Sequence, residues 1–510
     1  MKERRRTGNN KSGEIDLLLQ NNPDIEILDM EEPEREPRKS RPKKRRKLRN
    51  KEFASVTYFF VSVFLVMMGY IVYFHAVKSK DMINSPYNVR LDSMSDRVVR
   101  GKILDCDGEV LAETKISKDG SESRNYPYGK LYGHVVGYDT MGKYGLESTA
   151  NFYLLTSNAF FLEKISREFQ EEKNIGDNVI TTLDTNLQQA AYNALGSHKG
   201  AAIVMEASTG KVLAMVSKPT YNPNTIEQDW EQLLADENSI LLNRAMQGAY
   251  APGSVFKIVT ALEYMRENRS YDSYTYDCNG KITEEGTTIH CAGKVKHGEE
   301  DLKESFANSC NASFSNIGLT LDISSYRKTA EELLFNKDLP SLLPYHSSRF
   351  QLTKDSTASE IMMTAMGQGQ TQVSPYHMAL ISAAIANGGT LMKPYLIDHI
   401  ENYTGSTVKK FMPEKYARLM TSEEATQLKE YMTAVVESGT GRALKGHGYT
   451  VAGKTGTAEY SSNKEKSHSW FTGFSNVENP DIVVSVVVES ADNSGMSAVS
   501  VAKSIFNAYY

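Results

Sequence analysis

The chain has 510 residues, more than one compact domain usually holds, and its 40% apolar share is ordinary for a folded protein. Lys and Arg number 58 against 63 Asp and Glu, and the net charge of -5 carries no sign of a general nucleic-acid binder. Four cysteines are too few for disulfides to hold together a chain of this length.

Residues 1–52 read as a disordered, basic cytoplasmic tail, polar and poor in aromatics. Asp24 to Glu36 is acidic and contains proline, whereas Arg38 to Lys51 is almost wholly Lys and Arg. The meaning of that basic run is set by the segment next to it. Phe53 to Phe74 carries no charge and is long enough, at about 1.5 Å per residue, to cross a hydrocarbon core of about 30 Å. Tyr58, Tyr70 and Tyr73 supply interface anchors. The length argues against a buried core helix. His75-Ala76-Val77-Lys78 is a poor cleavage site, which argues against a removed signal peptide. A single transmembrane helix over 53–75 is the expectation. The basic run stays inside, so everything after the helix is extracytoplasmic and nucleic acid is not expected as a partner.

Residues 76–155 form a small membrane-proximal segment without a catalytic constellation. Asp107-Gly108 between Arg100–Asp105 and Val110–Ala112 signals a hairpin. A pedestal is the natural reading. From residue 156 to 510 the composition is globular. Ala201–Met205 and Lys211–Ser217 read as a hairpin across Ala207-Ser208-Thr209-Gly210. Thr421–Glu437 reads as a helix, with Ser422 ahead of two glutamates as its start signal. Thr450–Thr457, Ser469–Phe474 and Ile482–Glu489 read as strands, and Met496–Ala508 as a closing helix. The fold class is therefore α+β: an antiparallel sheet built from both ends of the domain, with a helical insertion between. No P-loop or dinucleotide-binding fingerprint is found, and no cofactor is expected.

Three short elements carry the chemistry. In Pro252-Gly253-Ser254-Val255-Phe256-Lys257, a chain break precedes an apolar run, so Ser254 stands at a helix start with Lys257 one turn later on the same face. A serine hydroxyl needs a neighbour to take its proton, and a lysine made neutral by burial can do so. The same S-x-x-K spacing recurs at Ser208/Lys211, Ser325/Lys328, Ser461/Lys464 and Ser500/Lys503, each in a turn, a solvated face or a loop. The second element is Ser309-Cys310-Asn311, whose hydroxyl can relay a proton and whose amide can hold a carbonyl; a helix cap is the competing explanation. The third is Lys454-Thr455-Gly456-Thr457 on a strand. There a Lys and two Thr can grip a carboxylate, and a glycine lets a ligand backbone approach.

In that order the three resemble the S-x-x-K, S-x-N and K-T-G set of the penicillin-binding proteins and serine β-lactamases. The likeness extends over 97–510 and is to the class B, transpeptidase-only kind. It includes Arg100-Gly101, Thr181 to Gln188, Asn243-Arg244-Ala245, Met366-Gly367-Gln368-Gly369 and Trp470 to Phe474. The resemblance implies a peptidoglycan D,D-transpeptidase that forms a serine acyl-enzyme with a D-Ala-D-Ala stem peptide and is trapped by β-lactams. It also implies a penicillin-binding domain with a central antiparallel sheet, flanking helices and a helical subdomain. It assigns Ser254 as nucleophile, Lys257 as base, and Ser309 with Lys454 as relay to the leaving amine. Asn311 would bind the donor amide, Thr455 and Thr457 the carboxylate, beside Gly456. A separate glycan polymerase of the SEDS family is the implied partner. A D,D-carboxypeptidase or β-lactamase, and a membrane β-lactam sensor, are the alternatives on the same fold.

Cys278 and Cys291 stand apart from all this. They can remain free, pair, or bind metal with Asp277, His290 or His297; zinc comes last, because the spacing matches no standard signature, and no metal is expected.

Overall fold

The computed structural model describes residues 51–74, 94–459, 467–491 and 496–510. Most of the tail, residues 75–93 and the loop holding Ser461 and Lys464 lie outside the described residues. The chain divides into two units, Met1–Val72 and Tyr73–Tyr510. In the first, α1 spans Lys51–Tyr73, a helix long and apolar enough to cross a membrane.

After a two-residue strand at Val98–Val99, the second unit has the short strands β1 (Ile103–Leu104), β2 (Val110–Ile116) and β3 (Glu122–Asn125), and later β4 (Asn178–Thr181). Helix α2 (Thr185–Ala194) starts at Asp184, whose carboxylate accepts from Leu187 N. The hairpin β5 (Gly200–Glu206) and β6 (Val212–Lys218) comes after it. Next come α3 (Lys257–Glu267), the ribbon strands β7 (Thr275–Cys278), β8 (Lys281–Glu284), β9 (Thr287–His290) and β10 (Gly298–Asp301), then α4 (Leu302–Ala307) and α5 (Asn311–Thr320). Among the later elements are α6 (Pro375–Ala386), β11 (Ile397–Glu401), β12 (Thr407–Lys410), α7 (Ser422–Glu437), β13 (Val451–Glu459), β14 (Ser467–Ser475), β15 (Ile482–Val488) and α8 (Ala498–Tyr509), with helices also at Ile323–Glu332 and Ala358–Ala365.

The central sheet has the order β13-β14-β15-β5-β6, antiparallel throughout, so strands from both ends of the domain do meet. Every residue of β15 is buried. Its alternate valines serve two cores: Val483 and Val487 join the large core that includes α3 and α6, and Val484, Val486 and Val488 join the one under α2 and α8. At about 1.5–3 kcal/mol per buried aliphatic side chain, this strand alone offsets much chain entropy. A second sheet, β12-β11-β4-β1-β2-β3, mixes membrane-proximal strands with strands from later in the chain.

Local differences from the sequence reading have simple causes. Strand ends move by one or two residues, as fraying ends do. The cap of α7 is Thr421, not Ser422, because Thr421 accepts from Glu424 N while Glu424 reaches back, a complete capping box. Ser254 lies in a 3-10 turn, Gly253–Phe256, and the α-helix proper begins at Lys257. In a 3-10 turn residues three apart eclipse, so Ser254 and Lys257 still share a face.

Candidate active site

The turn carrying Ser254 is held from three sides. Gly253 N donates to Gly367 O at 2.8 Å, Tyr250 N to Val373 O at 3.1 Å, and Trp470 Nε1 to Ala251 O at 3.1 Å. Gly367 has φ +91° and a Cβ there would lie 1.7 Å from Gly253 O, so only glycine lets the two backbones meet. Behind Ser254, Ile258, Val259, Ala261 and Leu262 of α3 are fully buried, which anchors the helix in the core.

Lys257 is itself fully buried. Its ammonium donates to Ser309 O at 2.7 Å, Asn311 Oδ1 at 2.8 Å and Ser309 Oγ at 3.2 Å, so the first two motifs are in direct contact. Burial pulls its pKa down to about 7, against the opposing influence of Cys310, Cys291 and Glu300. Lys454 on β13 is also fully buried, and its pKa lies well below the ordinary lysine range, first from burial and then from the positive Lys257. Its Nζ sits 5.3 Å from the Phe306 ring centre. The positive charge of Lys257 disfavours a second charge on Lys454, which favours one neutral amine at physiological pH.

Ser309 has φ +58°, a left-handed conformation that side-chain residues rarely adopt. The reason is local. Ser309 N donates to Phe306 O at 3.2 Å and Cys310 N to Ser305 O at 2.9 Å, the paired bonds of a Schellman helix end, here closing α4. Glycine is the usual residue at that position, so a serine there holds about 1–2 kcal/mol of strain. Ser309→Gly should leave thermal stability unchanged or raised while slowing β-lactam acylation by at least about tenfold. Parallel melting and stopped-flow measurements check this; a variant that melts lower would remove the strain at Ser309, and one that reacts normally would remove Ser309 from the proton path. The helix-cap explanation holds alongside: Cys310 is the N-cap of α5, its Sγ accepting from Ser313 N at 3.4 Å.

Strand β13 is an edge of the central sheet. Gly456 brings it against the serine turn, since a Cβ there would meet Val255 N at 3.2 Å. Thr457 is exposed, and Thr455 Oγ1 lies 2.5 Å from Thr440 Oγ1. Asn311 Nδ2 donates to His290 O at 3.0 Å, so its amide is held at both ends. The fold thus brings together six of the eight residues named from the motifs, by direct bonds for Lys257, Ser309 and Asn311 and by backbone proximity for Ser254, Gly456 and Thr457, while Lys454 and Thr455 lie on the same strand as the last two.

One neighbour, Thr440, escaped the sequence reading, and another, Gln368, was noted there only as part of the resemblance, with no role. Thr440 lies just beyond α7 between Gly439 and Gly441, where a Cβ on Gly439 would fall 2.1 Å from Ala307 O. That pair of glycines around a threonine was the available signal. Gln368 lies along the free edge of β13. With its amide turned to satisfy both groups, it accepts from Glu459 N at 3.2 Å and donates to Glu459 O at 3.3 Å. In that orientation the amide meets the strand edge as a peptide group would.

The chain has relatives among known proteins. The family described as "Penicillin binding protein transpeptidase domain" matches residues 200–510, and "Penicillin binding protein A dimerisation domain" matches 100–179. The chain is 30% identical over 433 residues to the peptidoglycan D,D-transpeptidase PbpA of Mycolicibacterium smegmatis, covering 79% of this chain and 87% of that protein. The D,D-transpeptidase domain from Eggerthella lenta superposes with a TM-score of 0.73 at 31% identity, covering 81% of this chain and 98% of that one. Penicillin-binding protein A from M. tuberculosis, solved as its imipenem acyl-enzyme complex, gives a TM-score of 0.73 at 26% identity, covering 80% of this chain and 98% of that one.

Proposed function

The chain belongs to the penicillin-binding protein transpeptidase family, and from that premise we propose the residue roles by which it acts as a peptidoglycan D,D-transpeptidase. Ser254 Oγ attacks the carbonyl between the two terminal D-Ala residues of a stem peptide, and Lys257 takes the hydroxyl proton. The tetrahedral oxyanion sits between the backbone N–H groups of Ser254 and Thr457; one such donor is typically worth about 100- to 1000-fold in rate. Lys454 and Ser309 pass a proton to the departing amine of D-Ala. An amine from a neighbouring strand then attacks the ester, Ser254 recovers its proton, and the cross-link is complete. Thr455 and Thr457 hold the terminal carboxylate, Asn311 holds the donor amide, and Gly456 gives the peptide room against β13. β-Lactams present the same carbonyl and leave the serine acylated.

One observation carries this reading: a fully buried Lys257, one turn from Ser254, bonded at once to Ser309 and Asn311. The experiment is mass spectrometry of the penicillin-treated chain. The adduct should fall on the peptide containing Ser254; an adduct on any other residue refutes the assignment.

The remaining architecture fits the same reading. Residues 53–75 anchor the chain as a single pass, the basic run keeps the N-terminus cytoplasmic, 76–155 act as a pedestal, and 156–510 form the extracytoplasmic catalytic domain. The glycan strands that it cross-links are supplied by a membrane glycan polymerase of the SEDS family.

A further inference from the structure

Cys278 closes β7, Cys291 comes just after β9, His297 precedes β10 and Cys310 joins α4 to α5. The fold brings their four ligand atoms within 4.8 Å of one another. Cys278 Sγ lies 3.6 Å from Cys291 Sγ and 3.4 Å from His297 Nδ1, and Cys291 Sγ lies 3.8 Å from Cys310 Sγ. Four ligands around tetrahedral zinc, at Zn–S about 2.3 Å and Zn–N about 2.0 Å, stand roughly 3.8 Å apart for two sulfurs and roughly 3.5 Å for sulfur and nitrogen. We propose that Cys278, Cys291, His297 and Cys310 form a structural Zn2+ site that clamps the insertion ribbon to the hinge carrying Ser309 and Asn311.

The set differs from the one the sequence suggested. Asp277 and His290 are exposed, the three cysteines are buried and form no disulfide, and Cys310 enters from the middle of the S-x-N motif. Backbone donors support thiolate character: Gly280 N reaches Cys278 Sγ at 3.4 Å, and Ser313 N, in the first turn of α5, reaches Cys310 Sγ at 3.4 Å. Independently, Glu300 Oε2 is a buried carboxylate oxygen with no hydrogen-bond partner among the described residues, 3.9 Å from His297 Nδ1. A buried polar atom left unpaired beside the cluster points to a ligand there. Binding displaces the three thiol protons to solvent, leaving Zn2+, three thiolates and a neutral imidazole. Sulfur donors select zinc over magnesium or calcium, and four protein ligands leave no open position for substrate. The metal therefore positions Ser309 and Asn311 through Cys310, which stands between them.

The proposal does not rest on the transpeptidase reading, because metal content and penicillin labelling are separate readouts. The full chain, purified in detergent without chelator, should hold about one zinc by elemental mass spectrometry. After chelation under reducing conditions and titration with Co2+, it should show thiolate-to-cobalt charge transfer and intense tetrahedral d–d bands. Cys278→Ser and His297→Ala should each lower zinc content at least about tenfold. If those variants fail to fold, the wild-type zinc content and cobalt spectrum decide alone. Wild-type protein with under about a tenth of a zinc per chain, with free thiols or a Cys278–Cys291 disulfide by mass, would overturn the site.

Discussion

Ser254→Ala should abolish covalent labelling by a fluorescent penicillin while the chain still folds. The loss is complete because an alanine has no oxygen to acylate, and no other S-x-x-K serine among the described residues shares the setting of Ser254. Ser208 lies in the turn of the β5–β6 hairpin and Ser325 on a helix whose Lys328 is exposed. Stability should change by under about 0.5 kcal/mol, since Ser254 is only half-buried and its turn is held by backbone bonds of Gly253, Tyr250 and Ala251. Gel fluorescence and thermal unfolding test the two halves of the statement. Labelling retained at the wild-type level would refute the nucleophile.

Lys257→Ala should slow acylation about 100- to 10,000-fold, the usual contribution of a positioned base. Lys257→Arg should be similarly slow even though it keeps the positive charge, because a guanidinium does not give up its proton in a protein. That contrast separates a base from a mere electrostatic anchor. The pH dependence has a definite sign. The neutral amine is the active form, and burial holds the Lys257 pKa at about 7. Acylation by a reporter lactam should therefore rise with pH through that value and fall below it as the amine becomes charged. A normal rate in Lys257→Arg, or a rate flat from pH 5 to about 9, would remove Lys257 as the base.

Much of this was legible without a structure because it is local. The charge-free run from Phe53 to Phe74, the Asp107-Gly108 turn and the buried strand at Ile482 to Val488 are each written in consecutive residues. So is the placing of Ser254 at a chain break before an apolar helix. The capping box at Thr421 was misread by one residue, since serine and threonine cap equally and only the geometry chooses between neighbours. The 3-10 turn at Ser254 was not readable either, because it depends on Gly253 meeting Gly367 from far along the chain.

By itself the sequence determined which residue types sit one turn apart, which segments bury both faces and which helix suits lipid, because propensity and periodicity act over a few residues. Only the tertiary structure decided that Lys257 bonds to a serine carbonyl 52 positions away, that β13 is an edge left open beside the serine turn, and that Cys310 meets Cys278, Cys291 and His297. Those contacts close long loops, and their partners are chosen by how the whole core packs; no short spacing encodes that choice.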